Sequence, residues 1–174
     1  SDNVVAEQPI VVKEKSLTVF KGNIIDAITR EPIEAAIEII LNETGKTYTS
    51  FYSNSATGKF LLSLPAGANY GISVAADGYL FHSENFDLPK GDGFNSVTKE
   101  IELKNIKVGN NITLRNVFFD TGKWRIKPDS YSELERLVTL LNDIVKLKIE
   151  ISGHTDNVGA SSFNELLSQK RADA

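Results

Sequence analysis

The apolar residues of this chain change their period once, near residue 105, and that change limits what the chain can fold into. Between Leu17 and Lys104 they recur every second residue. Ile37, Ile39 and Leu41 alternate with Glu38 and Ile40; Phe60, Leu62 and Leu64 with Leu61 and Ser63; Tyr70, Ile72 and Val74 with Gly71, Ser73 and Ala75. Leu17, Val19 and Phe20 open the series, and Val97, Lys99, Ile101 and Leu103 close it. A period of two sends successive side chains to opposite faces of a strand. Between the runs lie Asn42 to Gly45, Thr57-Gly58, Pro65 to Gly67, Asp77-Gly78 and Lys90 to Gly93. Short alternating strands divided by glycine turns read as an antiparallel β-sandwich. Residues 1–16 read as a polar linker, or as an edge strand through Ile10-Val11-Val12.

Beyond Asn105 the spacing lengthens. Leu134, Leu137, Val138, Leu141, Ile144 and Val145 recur at three and four residues, the stripe of an amphipathic helix. Ser130 and Glu133 ahead of it have the spacing of a capping box, as do Ser162 and Glu165 ahead of a second helix that runs to Ala174. Ile112, Leu114 and Val117 to Phe119 predict one strand, and Leu147, Ile149 and Ile151 another. The order strand–helix–strand–helix predicts two strands that are parallel or separated by one inserted strand. Three segments follow: a linker or edge strand over 1–16, a sandwich over 17–104 and a βαβα unit over 105–174.

The balance of charges narrows the function. A formal net charge of −4 and a pI near 5.3 argue against nucleic acid, whose phosphates call for a basic face. They argue equally against a polybasic membrane contact. Cysteine is absent and histidine occurs only as His82 and His154, so no metal or other cofactor is expected. No run approaches the roughly 18 apolar residues of a membrane-spanning helix. With no methionine, the chain reads as a mature product or an excised fragment.

The residues with chemistry cluster near the end. Asp156 follows the second predicted strand, and Arg171 lies well inside the second predicted helix. An anion and a cation fixed at one cleft can hold a zwitterionic amino acid by both ends. Asn164, Ser168 and Arg171, spaced by four and three, share a helical face that can meet the Asp156 loop. On their own, Asp156-Asn157 ahead of Gly159 is also good turn chemistry, and Arg171 could be a solvated helix residue. His154 near Asp156 invites comparison with a catalytic dyad, but no nucleophile pattern accompanies it. The site reads as binding rather than catalytic. His82 reads as a solvent-facing strand residue, His154 as a residue that is buried or stands behind the ligand contacts and shapes its loop, and Trp124 as packed under its own loop rather than touching glycan.

Two resemblances extend this reading. Gly22, Asp26 to Thr29 ending at Pro32, Ser55 to Phe60, Leu64 to Gly67 and Ala76 to Tyr79 resemble the carboxypeptidase regulatory-like family over about residues 17–104. That resemblance implies a transthyretin-like seven-stranded sandwich without peptidase activity. Val117 to Lys123, Ile126 to Ser130, Gly153-His154-Thr155-Asp156, and Asn164 with Leu167-Ser168 and Arg171-Ala172 resemble the OmpA C-terminal-like family. This second resemblance implies an α+β unit, incomplete at its C-terminus, that binds peptidoglycan through meso-diaminopimelate of the stem peptide. Carried over, Arg171 meets the diaminopimelate carboxylate and Asp156 its ammonium. Asn164, Ser168, Thr155, Asp120 and Thr121 add polar contacts, and Gly153 and Gly159 let the backbone turn closely around the ligand. Charge-assisted bonds contribute roughly 1.5–3 kcal/mol each, so one stem peptide would be held modestly and many copies firmly. The expectation is a non-catalytic envelope protein in the periplasm, part of a longer chain tethered to the outer membrane. The alternative is a sandwich that docks an envelope protein, possibly of a secretion machinery, with wall binding secondary.

Overall fold

The computed structural model describes residues 16–91, 95–144 and 147–174. The linker expected before Ser16, the end of the turn at Asp92-Gly93 and the helix position of Val145 fall outside the described residues.

Among the described residues seven strands form two sheets. They are β1 (Leu17–Asp26), β2 (Ala36–Leu41), β3 (Lys46–Tyr52), β4 (Lys59–Pro65), β5 (Asn69–Ala75), β6 (His82–Asp87) and β7 (Asn95–Leu103). One sheet has the order β4-β1-β7, the other β3-β2-β5-β6. Pairing is antiparallel except between β1 and β7, which run parallel from Thr18 opposite Asn95 to Asp26 opposite Leu103.

The core lies between the sheets. Phe20, Ile24, Phe60, Leu64, Ile101 and Leu103 meet Ile37, Ile39, Tyr70, Ile72, Val74 and Phe86 across it. The Phe20 ring stacks on Phe86 at 4.5 Å and lies 5.4 Å from Phe60. Burying each such side chain contributes roughly 1.5–3 kcal/mol. The alternation in β1 is shifted by one residue from the expectation. Thr18 and Phe20 face inward and Leu17 faces solvent, because the parity of the whole strand follows Phe20 and Ile24.

At the sandwich's loop end, Asp26 fixes a turn. Its Oδ1 accepts the Ile28 N–H at 2.7 Å and the Thr29 N–H at 2.8 Å. The Tyr79 hydroxyl donates to Oδ2 at 2.9 Å, which ties the turn after β1 to the Gly78-Tyr79 turn.

The C-terminal region has α1 (Tyr131–Asp143), entered through a 3-10 turn at Pro128–Ser130, and α2 (Ser161–Asp173). The strands expected here do not form. Phe119 makes a single antiparallel bridge to Ile126, and residues 147–152 run without a ladder partner. Ile149 and Ile151 are consequently exposed. Alternation prepares two faces, but a strand also needs a neighbour's row of N–H and C=O groups, and the described residues supply none there. The helix starts also differ. Ser130 directs its hydroxyl to the Phe118 N–H, which it accepts at 2.8 Å, instead of capping α1. Glu133 is fully buried against the sandwich and does not reach back. α2 opens at Ala160 with no side-chain cap. Among the described residues no helix is long and apolar enough to cross a membrane.

Candidate ligand-binding site

The loop Gly153–Ala160 lies along one side of α2. Gly153 allows the contact: a Cβ there would stand 2.2 Å from the Ser168 carbonyl oxygen and 3.0 Å from the Ala172 nitrogen. The helix occupies the space that Gly153 was expected to leave for a ligand. Gly159, with φ +102° and open surroundings, makes the turn into α2.

Asn164, one turn into α2, holds the Asp156 loop. Its Nδ2 donates to the Asp156 carbonyl at 3.2 Å and to the Val158 carbonyl at 3.1 Å. The Asp156 carboxylate remains exposed, with the Val158 N–H at 3.4 Å. Thr155 is half-buried in the same loop.

Arg171 holds the other end. Its Nε donates to the Lys123 carbonyl at 3.0 Å and its Nη1 to the His154 carbonyl at 3.5 Å. The guanidinium lies over the Phe119 ring, 4.8 Å from the centroid, an attraction of about 0.5–1 kcal/mol at an exposed site. Ser168, between the two, donates its hydroxyl to the Glu165 carbonyl at 2.8 Å. It meets the loop through its backbone. The shared helical face expected for Asn164, Ser168 and Arg171 therefore exists, with the Ser168 hydroxyl turned along the helix.

Asp120 pairs with Lys123 at 3.1 Å beside exposed Thr121. Exposed pairs of this kind contribute about 0–1 kcal/mol. Among the described residues Asp156 and Arg171 form no ion pair. Asn164, which holds the Asp156 loop, and Arg171 stand seven residues apart on α2, so one helix positions both ends of the loop.

Three neighbours went unread in the sequence. Phe119 and the carbonyls of Lys123 and His154 orient Arg171, yet Lys123 lies 48 residues away in the chain, and no local spacing signals it. Two expectations are corrected. Trp124 is not packed under its loop: it is 48% exposed, with the Lys170 ammonium 4.2 Å from its ring centroid. His154 is exposed and acts through its carbonyl. In the sandwich, His82 also departs from the solvent-facing expectation. It is half-buried at the sheet margin, 3.5 Å from Glu84, and burial pushes its pKa down.

Fold and site together define a two-sheet sandwich joined to a helical region that presents a fixed carboxylate and a fixed guanidinium. Residues 118–174 match the OmpA family. The chain is 38% identical over 58 residues to outer membrane porin F of Pseudomonas fluorescens, covering 33% of this chain and 18% of that protein. It is 41% identical over 64 residues to outer membrane protein Omp38 of Acinetobacter baumannii, covering 37% of this chain and 18% of that one. The matched stretch thus spans less than a fifth of either relative. Among solved structures, the Bacillus anthracis TIE protein aligns with a TM-score of 0.44 and 19% identity, over 52% of this chain and 17% of that one.

Proposed function

We propose that the C-terminal region binds peptidoglycan non-covalently through meso-diaminopimelate and anchors an envelope protein to the wall. The observation that carries this reading is the fixing of Arg171 and the Asp156 loop on one helix, α2, within the stretch that matches the OmpA family. Arg171 would bond the ligand carboxylate through its free Nη2, a planar donor suited to carboxylates. Asp156 would take the ammonium. Thr155, Asn164, Ser168, Asp120 and Thr121 would add polar contacts. Such a site needs no nucleophile, metal or cofactor, and the protein is proposed to be a binder and not an enzyme. The relatives' names place them in the outer membrane, which supports a periplasmic location for this region and a tether to that membrane. The sandwich is proposed to be of the transthyretin-like, carboxypeptidase regulatory-like type, on its seven strands and two sheets. A partner-docking role for the sandwich has one feature in its favour, the exposed Tyr48 and Tyr52 on its β3 edge.

Co-sedimentation with purified diaminopimelate-type sacculi tests the reading. Asp156→Ala and Arg171→Ala should each weaken binding about tenfold or more, the loss of one charge-assisted bond. Retention of both folded variants on sacculi at wild-type levels would overturn it.

A further inference from the structure

The two regions of the chain meet through a polar socket. Strand register places Glu38 opposite Ser73, and Ser73 opposite Ser83, in one row across β2, β5 and β6. Paired residues share a face, and this row points away from the sandwich core. Ser73 and Ser83 are nonetheless buried, because the C-terminal region covers them. Asn116 and Glu133 are buried there too. Asn116 Nδ2 donates to the Ser83 hydroxyl oxygen. Arg136 pairs with Glu38 on the sheet and lies 3.4 Å from Glu133 on its own helix. Gly71 makes the room: a Cβ there would stand 3.1 Å from Asn116 Oδ1.

Two oxygens in this socket, Glu133 Oε1 and Asn116 Oδ1, are buried without a hydrogen-bond partner. Both accept and neither donates while Glu133 is ionised. A proton from solvent on Glu133 supplies a donor inside the socket and removes a desolvated charge at the same time.

We propose that Glu133 is a proton-operated latch between the sandwich and α1: its neutral form holds the helix on the sheet, and its ionised form releases it.

The groups around the latch have defined signs. Arg136 faces Glu133 from α1, and Glu38 lies beyond Arg136 on β2. On β6, His82 and Glu84 flank Ser83, but their register with Val74 and Ile72 puts them on the opposite face with Lys99. Arg115 flanks Asn116, and its carbonyl accepts from Asn85 at 2.9 Å. Burial pushes the Glu133 carboxyl up, with Ser83, Arg136 and the side-chain and backbone amides of Asn116 opposing it. Burial also pushes the Glu38 carboxyl up, but Thr47 and Arg136 more than offset that and hold it low. Glu133's contribution is therefore complete below the ordinary glutamate range and lost as pH rises through its raised value. Glu38's contribution is present above the ordinary range and lost as pH falls through its lowered value. Docking is strongest between the two.

The chain lacks cysteine, so spin labels at Thr57→Cys and Asp143→Cys report one distance between sandwich and α1. This distance would be measured across a pH series beside the ¹³C carboxyl shift of Glu133. One short distance is expected below the Glu133 midpoint. Above it, the docked-to-released ratio should fall about tenfold per pH unit. Glu133→Gln, which carries a donor and no charge, should keep the short distance throughout the pH range above neutrality. A distance indifferent to the Glu133 titration, or one that responds identically in Glu133→Gln, would overturn the latch. Should that variant not fold, the match between carboxyl titration and distance in the unsubstituted chain decides alone.

Discussion

Asp26 and Tyr79 show how one residue pair can secure a fold from both ends of the pH scale. Hydrogen bonds from Thr29, Ile28 and Tyr79 hold the Asp26 carboxyl below the ordinary aspartate range. The same contact raises the Tyr79 phenol. A lowered carboxyl stabilises the fold above its unfolded value and loses that contribution as pH falls through the folded one. A raised phenol stabilises below its unfolded value and loses it as pH rises through the folded one. Both contributions are present between about pH 4 and about pH 10. Tyr79→Phe removes one donor, so its acid-unfolding midpoint should move to higher pH while the wild type remains folded; a circular dichroism titration reads this directly. At this scale the sequence was informative about identity and uninformative about orientation. Asp156, Asn164 and Arg171 stood out as chemistry-bearing residues, and Asp26 only as the start of a turn motif. The contacts that aim Arg171 come from Phe119, Lys123 and His154, which only the tertiary fold brings together.

At the scale of elements, periodicity exposed the strands whose faces differ. β1, β2, β4, β5 and β7 each bury part of one face and so carry an apolar alternation. β3 has no fully buried residue, and β6 buries only Ser83 and Phe86; neither leaves a pattern to find. The opposite error occurred at residues 147–151, where alternation is clear and the described residues offer no ladder partner. The helix starts were misjudged for a related reason. A serine and a glutamate three residues apart describe a capping box only when neither has a better tertiary partner. Ser130 finds the Phe118 N–H, and Glu133 finds the sheet. The two serines should therefore respond differently to removal. Ser130→Ala leaves a partly buried N–H without its acceptor and should cost about 1–3 kcal/mol. Ser162→Ala, at an exposed start without a cap, should change stability by less than about 0.5 kcal/mol. Urea melts followed by the fluorescence of Trp124 measure both.

For the whole molecule, the burial is uneven. The main apolar cluster lies entirely between Phe20 and Leu103, and among the described residues Leu167 is the one buried hydrophobic after Leu103 in the chain. α2 is held by Gly153, Asn164 and Arg171 more than by apolar area. The two regions should lose structure at different denaturant concentrations. Trp124 is the only tryptophan and lies in the C-terminal region, so its emission follows that region, while the amide NMR signals of the strands follow the sandwich. The Trp124 midpoint should come at lower urea than the strand midpoint; coincident transitions would mean one cooperative unit. The passage from a sheet region to a helix-containing one was readable in the change of period, and the polar socket between them was not, because its row of Glu38, Ser73 and Ser83 is spread over three strands.

The parallel pairing of β1 with β7 has a mechanical consequence. The first and last strands of the sandwich lie side by side, from Thr18 opposite Asn95 to Asp26 opposite Leu103. The chain enters β1 at one end of that ladder and leaves β7 at the other. Tension applied along the backbone across the sandwich therefore loads these hydrogen bonds in shear, all at once, rather than peeling them one by one. A domain wired in this way resists stretching better than one whose terminal strands can be unzipped bond by bond.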